Sequence, residues 1–118
     1  MKKLGTHFIL EITNIEPTII STQDIVKEKM LLVCRDLKLN IASDFFQQFS
    51  PHGVSGVVIL QESHLTIHTW PENGYAAIDL FVCTPYPDQQ QLEETIKKNF
   101  SGTITDIRVL VRGYKTDG

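Results

Sequence analysis

The pattern of apolar and polar residues is β-like in six segments of the chain and helix-like in two. The predicted strands cover residues 4–12, 41–49, 54–60, 64–70, 75–82 and 103–111, and the third of them is apolar on both faces. Between the fourth and fifth strands, Asn73 and Gly74 predict a hairpin turn, because both residue types tolerate a positive φ. Strand-forming sequence therefore dominates the chain.

Two segments space their apolar residues as amphipathic helices do. The first covers residues 21–37, and its apolar face consists of Val26, Met30, Val33 and Leu37. Ser21 with Asp24, and Asp88 with Gln91, resemble capping boxes that mark the two helix starts. The resulting order, β-α-β-β-β-β-α-β, predicts an α+β fold: a two-layer sandwich in which a largely antiparallel sheet carries two helices on one face.

Composition restricts the class of protein. The chain has 118 residues, 42% hydrophobic and 21% charged, as expected for one soluble domain spanning residues 1–118. A net charge of −3 gives no basic surface for nucleic acid. No apolar run approaches the roughly 18 residues of a membrane span, and the apolar run near the N-terminus is too short for a signal peptide. Cys34 and Cys83 are therefore expected to be reduced thiols in the cytoplasm.

Residues that could take part in catalysis or binding are concentrated between positions 55 and 83. They are Ser55, Gly56, Ser63, His64, His68, Glu72 and Cys83. His64, His68 and Cys83 are possible zinc ligands by residue type. However, residues four apart in a strand are separated by about 13 Å, so the two histidines cannot share one ion. We therefore expect no metal.

Ser63 and His68 suggest a serine nucleophile with a histidine base. Five residues of extended chain separate them by about 16 Å, whereas a nucleophile and its base need hydrogen-bond contact near ~3 Å. Within one regular strand the two side chains cannot meet. Across a two-fold dimer they can, because each subunit then supplies one group to each of two equivalent sites. If these residues cooperate, the active site is shared between subunits.

Residues 53–83, GVSGVVILQESHLTIHTWPENGYAAIDLFVC, resemble the signature region of the bacterial and archaeal S-adenosylmethionine decarboxylase proenzymes, which are pyruvoyl-dependent. The resemblance continues more loosely through Leu4-Gly5, His7 and Phe49 and in the order of the predicted elements. It implies a cytoplasmic enzyme that decarboxylates S-adenosylmethionine for spermidine synthesis. It also implies self-cleavage between Glu62 and Ser63 into a β subunit, 1–62, and an α subunit, 63–118.

The resemblance assigns the chemistry to Ser63. Its hydroxyl would attack the Glu62 carbonyl, the amide would become an ester, and β-elimination would break the chain and leave a pyruvoyl group derived from Ser63. That group would form a Schiff base with the substrate amine and accept the electrons released on decarboxylation, so neither an external cofactor nor a metal is expected.

Five further positions receive roles from the same resemblance. His68 would assist elimination during processing, Ser55 would support the processing intermediate, and Cys83 would protonate the substrate α-carbon. Glu72 would bind both ribose hydroxyls and Phe49 would stack on adenine. In the family, Ser63 and Cys83 of one protomer meet Phe49, Ser55, His68 and Glu72 of the partner, which implies a homodimer with shared sites.

Two alternatives stay open at this point. Thr84-Pro85 follows Cys83 where the family usually has glycine, and some relatives decarboxylate arginine or ornithine, so the same pyruvoyl chemistry on those substrates is one alternative. The other is a non-catalytic dimeric module with a regulatory or ligand-binding role. His7, Glu11 and His64 receive no role from the sequence.

Overall fold

Six strands form one antiparallel sheet in the computed structural model, which describes residues 2–115. The strands are β1 Lys2–Thr13, β2 Ile41–Gln48, β3 Val54–Leu60, β4 Ser63–Trp70, β5 Tyr75–Val82 and β6 Thr103–Lys115. Their order in the sheet is β2-β3-β4-β5-β1-β6, and every neighbouring pair is antiparallel. The predicted antiparallel sheet of an α+β fold is confirmed, and β1 lies between β5 and β6.

Two main helices accompany the sheet, as the sequence predicts. The helical segments are α1 Pro17–Ile20, α2 Gln23–Asp36, α3 Gln89–Phe100 and a 3₁₀ turn over Pro71–Asn73. The short α1 and the 3₁₀ turn are absent from the sequence prediction, because neither is long enough to show a helical period. No helix within residues 2–115 has the length and apolarity needed to cross a membrane.

The helices cover one face of the sheet. The buried side chains of β1 and β5 alternate along each strand, and they form one cluster with the apolar faces of α2 and α3. Its members from strands include Phe8, Leu10, Ile12, Leu65, Ile67, Ile78 and Leu80, and those from helices include Val26, Met30, Val33, Leu92, Ile96 and Phe100. The side chains of the opposite parity therefore lie on a sheet face that no helix of the described chain covers. We call it the open face.

Gly56 shows how tightly the helix-covered side is packed. The residue lies opposite Phe46 in the β2–β3 ladder, and an added Cβ would come within 2.2 Å of the Phe46 ring. Only glycine leaves room for that ring. The group that approaches Gly56 most closely is thus an aromatic side chain.

Local signals for turns and caps are confirmed in two cases and wrong in one. Asp88 accepts a hydrogen bond from the Gln91 N–H in a complete capping box, as predicted. The predicted box at Ser21 is wrong, because the Ser21 hydroxyl donates to the Pro17 carbonyl of α1 and the helix begins later, with Thr22 as an N-cap lacking a side-chain bond. The predicted hairpin between β4 and β5 is confirmed, and its connection is a 3₁₀ turn in which Gly74, but not Asn73, has a positive φ.

The two N-caps provide a matched stability test. Replacing Asp88 with alanine leaves a helix-start N–H without its acceptor and should lower the free energy of unfolding by about 1 kcal/mol. Thr22→Ala should change it by much less, because the Thr22 side chain makes no capping bond. Urea unfolding followed by circular dichroism measures both. Equal losses for the two variants would contradict this assignment of the caps.

Candidate active site

The turn between β3 and β4 contains the predicted cleavage point. Ser63 is the first residue of β4 and has a φ of 148°, in the region that glycine tolerates and other residues rarely adopt. Such a conformation costs on the order of 1–3 kcal/mol and persists only where surrounding contacts hold it. The strain lies directly after the Glu62–Ser63 peptide bond.

Contacts from two other segments hold Glu62. Its carbonyl oxygen accepts a hydrogen bond of 2.9 Å from the backbone N–H of Cys83. Its carboxylate accepts one of 3.0 Å from the backbone N–H of Asn40 and one of 2.7 Å from the Asn40 side-chain amide. Partial burial opposes ionisation of the carboxyl, but the bonds from Asn40 outweigh it and lower the pKa of Glu62. Glu62 is thus fixed at both its main chain and its side chain.

Ser55 and His68 form a pair on the open face. They lie opposite each other in the β3–β4 ladder, and Ser55 Oγ is 2.8 Å from His68 Nδ1. His68 is exposed and Ser55 is half-buried. A histidine oriented by a hydroxyl and open to solvent on its other side is suited to transfer protons to or from a group brought to it.

The loop after β2 and the 3₁₀ turn after β4 lie beside this pair. Phe49 closes the first loop through its N–H bond to the Gly53 carbonyl and is 49% exposed. Glu72, in the 3₁₀ turn, has a half-exposed carboxylate 3.4 Å from His52 Nε2. That contact lacks hydrogen-bond geometry, since His52 Nε2 is a buried nitrogen without a hydrogen-bond partner within the described residues. The carboxylate of Glu72 therefore keeps its capacity to accept.

The predicted site residues form two groups at opposite ends of β4. Ser63 and Cys83 lie where β4 begins and β5 ends. At the other end lie Ser55, His68, Phe49 and Glu72. Ser63 and His68 are five positions apart in the strand, a distance of about 16 Å, so one protomer does not bring the two groups together.

The two cysteines occupy different environments. Burial raises the pKa of Cys34 to about 12, and the Glu62 charge adds to this effect. A thiol with so high a pKa is unreactive at neutral pH, and Cys34 belongs to the buried hydrophobic cluster. Cys83, by contrast, is exposed, and its side chain lines a shallow pocket together with Lys3, Thr6 and Pro85.

The open face also contains a cluster that the sequence did not predict. His7 and His64 both lie opposite Phe81, one on each side of β5, and both direct Nε2 at Asp79 Oδ2, at 2.7 and 3.0 Å. The hydroxyl of Thr66 donates to Asp79 Oδ1. Burial raises the pKa of Asp79, but the hydrogen bonds from Thr66, His7 and His64 outweigh it, so the pKa lies below its ordinary value.

His7, His64 and Asp79 are residue types that can bind a metal ion, and their ligand atoms all lie within 4.8 Å of one another. The hydrogen bonds of His7 argue against a metal ion bound by this cluster. Arg112 Nη1 lies 3.0 Å from His7 Nδ1, and because a guanidinium can only donate, Nδ1 accepts and the imidazole proton lies on Nε2. Nε2 then donates to Asp79 and has no lone pair free for an ion. The cluster is best described as a hydrogen-bonded polar centre.

Sequence patterns contained part of the signal for these residues. His7, His64, Thr66 and Asp79 each have the strand parity that places a side chain opposite the core. What was missing was the order of the strands, since β1 is next to β5 only in the folded sheet. The Asn40 contact had no sequence signal, because it joins positions 22 residues apart in two turns.

Comparisons with known proteins found similar sequences and a similar fold. The family model for S-adenosylmethionine decarboxylase matches residues 6–113. A Pyrococcus abyssi protein named S-adenosylmethionine decarboxylase proenzyme is 35% identical over 117 residues, 99% of this chain and 84% of that protein. A Thermotoga petrophila protein of the same name is 42% identical over 98 residues, 83% of this chain and 75% of that protein. The crystal structure of the adenosylmethionine decarboxylase from Aquifex aeolicus VF5 has a TM-score of 0.91 at 29% identity, covering 100% and 98% of the two chains.

The polar centre predicts a pH-dependent stability. Asp79→Asn should lower the free energy of unfolding at pH 7 by about 1–3 kcal/mol, because hydrogen bonds to a charged acceptor are lost. Since the folded-state pKa of Asp79 is lowered, its contribution is complete above about pH 4 and is lost as pH falls from there through the folded value. Urea unfolding should show that the free energies of unfolding of wild type and variant differ less at pH 3 than at pH 7.

Asp106→Asn is the matched control, because Asp106 lies half-exposed on β6 beside Arg108. Its effect should be close to zero at both values of pH. A gap for Asp79→Asn that stays constant between pH 7 and pH 3 would contradict the role given to the ionised carboxylate.

Proposed function

The chain belongs to the S-adenosylmethionine decarboxylase family, and on that premise we propose that it is a self-cleaving, pyruvoyl-dependent enzyme that decarboxylates S-adenosylmethionine for spermidine synthesis. The observation that supports this most directly is the Glu62–Ser63 bond, with its strained serine and its hydrogen-bonded carbonyl. The family is the one predicted from the signature region, and neither arginine nor ornithine as substrate, nor a non-catalytic module, is favoured by the named relatives.

Self-cleavage begins with attack of Ser63 Oγ on the Glu62 carbonyl carbon. Negative charge develops on the carbonyl oxygen, and the Cys83 N–H, already 2.9 Å away, stabilises it as an oxyanion-hole donor does. The carbon–nitrogen bond then breaks as the serine nitrogen takes up a proton, and an ester joins residues 62 and 63. Strain at Ser63 raises the free energy of the intact peptide, which favours this rearrangement.

Elimination completes the cleavage. Loss of the Ser63 Cα proton and of the Glu62 carboxylate from Cβ breaks the ester, leaving a fragment 1–62 with a new C-terminal carboxylate. The unsaturated residue that remains takes up water and loses ammonia, which yields the terminal pyruvoyl group. The His68–Ser55 pair of a second protomer suits the proton transfer of this step, since the pair is fixed by a hydrogen bond and His68 is exposed. The pyruvoyl carbonyl supplies the electron sink for decarboxylation.

The remaining predicted site residues would bind the substrate and return a proton to it. Glu72 presents a carboxylate with two oxygens to the ribose hydroxyls, and the half-exposed Phe49 offers an aromatic face to adenine. Cys83, exposed beside the cleavage point, is placed to protonate the α-carbon after carbon dioxide leaves. The S–H group of a cysteine can supply the proton that this step requires.

We also propose a homodimer with shared sites, which the separation of the two groups along β4 supports. Ser63 and Cys83 of one protomer need Ser55, His68, Phe49 and Glu72 of its partner. The open face supports such pairing, because it carries large apolar side chains left exposed in the protomer: Phe45, Ile59, Trp70 and Leu110. Apolar surface of this kind between polar groups marks interaction sites.

Cleavage is tested by the mass of the purified protein. We expect two chains, one ending at Glu62 and one starting with a pyruvoyl group at position 63, and a single uncut chain for Ser63→Ala. Release of carbon dioxide should occur with S-adenosylmethionine and not with arginine or ornithine. An uncut wild-type chain under conditions that support folding would contradict the proposal.

Site sharing is tested by co-expression of two inactive variants. In a Cys83→Ala and His68→Ala heterodimer, one site contains only wild-type residues, so random pairing should recover about a quarter of the wild-type activity. The matched control is Cys83→Ala with Ser63→Ala, since both changes affect the same half of the site and no wild-type site can form. Absence of recovery in the first pair, or equal recovery in both, would exclude the shared arrangement.

A further inference from the structure

We infer that Asn40 is a positioning residue for self-cleavage, holding the scissile bond so that the Ser63 hydroxyl can reach the Glu62 carbonyl. The inference rests on the proposed function, since it concerns the same bond. Asn40 lies outside the β3–β4 hairpin, in the turn between α2 and β2. It therefore fixes the hairpin from a separate part of the chain.

Three hydrogen bonds join Asn40 to the two residues before the bond. Its backbone and side-chain N–H groups donate to the two carboxylate oxygens of Glu62, at 3.0 and 2.7 Å. Its carbonyl accepts from the Gln61 N–H at 2.9 Å. Bonds to an ionised acceptor are among the stronger hydrogen bonds in proteins. Residues 61 and 62 therefore cannot rotate as a free hairpin tip would.

This restraint acts together with that of Cys83 on the far side of β4. Asn40 holds the Glu62 side chain while the Cys83 N–H holds its carbonyl. With Glu62 fixed at both ends, rotation about its backbone cannot relieve the positive φ of Ser63. Strained conformations persist where the surroundings over-determine them, and positioning of two reacting groups supplies a large part of many rate enhancements.

Asn40 is itself firmly placed. The preceding residue, Leu39, is buried, and its N–H donates to the Cys34 carbonyl in the last turn of α2. Leu37, the C-cap of that helix, is buried as well. The backbone of Asn40 is therefore anchored to the hydrophobic core, although the Asn40 side chain is exposed.

The test measures the rate at which newly made precursor is cut, by intact-mass spectrometry over time in cell-free translation. Asn40→Ala should slow cleavage roughly tenfold to a hundredfold, because the groups are less well positioned. Asn40→Asp should slow it further, since a second carboxylate would repel Glu62. Combining Asn40→Asp with Glu62→Gln should restore much of the rate, because the new amide can donate to the new carboxylate.

Two measurements separate positioning from general stability. Gln61→Ala, in the exposed turn between β3 and β4, keeps the backbone bonds and should cleave within about twofold of wild type. Chains of Asn40→Ala that have been cut should decarboxylate with wild-type kcat and KM, since Asn40 acts only before cleavage. Cleavage of Asn40→Ala at the wild-type rate, or no recovery in the double variant, would overturn the inference. A wild-type chain that never cleaves would instead refute the proposed function.

Discussion

The pairing of β4 with β3 on one side and β5 on the other is the constraint on which the candidate site depends. It sets Ser63 opposite Leu60 and Val82, and this register brings the N–H of the next residue, Cys83, to the Glu62 carbonyl. The same ladders set Ser55 opposite His68 at the other end. A slip of one residue would reverse the face of every side chain in the strand. Register therefore determines which groups can react.

The two faces of the sheet have different functions. The helix-covered face is filled with aliphatic and aromatic side chains and contributes most of the stability, because apolar burial is the main favourable term in folding. The open face carries the Ser55–His68 pair, the polar centre around Asp79, and the bond from Tyr75 to Glu11. Polar groups on this face are bonded to one another before any partner arrives, so covering it would leave few of them unsatisfied.

Much of the fold could be predicted from the sequence, because strand periodicity and local caps are properties of neighbouring residues. The bounds of β3 and β5, and the Asp88 capping box, are examples. The helix start at Ser21 failed because the preceding Pro17 turn takes the serine hydroxyl.

The candidate site was less accessible to sequence reasoning. The resemblance identified Ser63 and the other predicted site residues. It did not identify the strain at Ser63, the hydrogen bonds of Asn40 to Glu62 or the cluster around Asp79, because these arise from contacts between strands and turns that are distant in the chain. Alternation assigns a side chain to a face, while only the order of strands shows what lies beside it. Gly56 illustrates the same limit, since nothing local indicates that a Phe46 ring occupies the space above it.

The place of β1 between β5 and β6 has a consequence for the cleavage proposed above. A cut after Glu62 assigns β1, β2 and β3 to one product and β4, β5 and β6 to the other, so the two pieces interleave within a single sheet. Neither piece could dissociate without breaking the hydrogen bonds of three strand pairs. Assembly from separate pieces would bear the full entropy of bimolecular encounter, whereas the uncut chain folds with all strands tethered. In the maturation proposed above, the uncut chain would therefore fold first, and cleavage would then leave two polypeptides intertwined in one sheet.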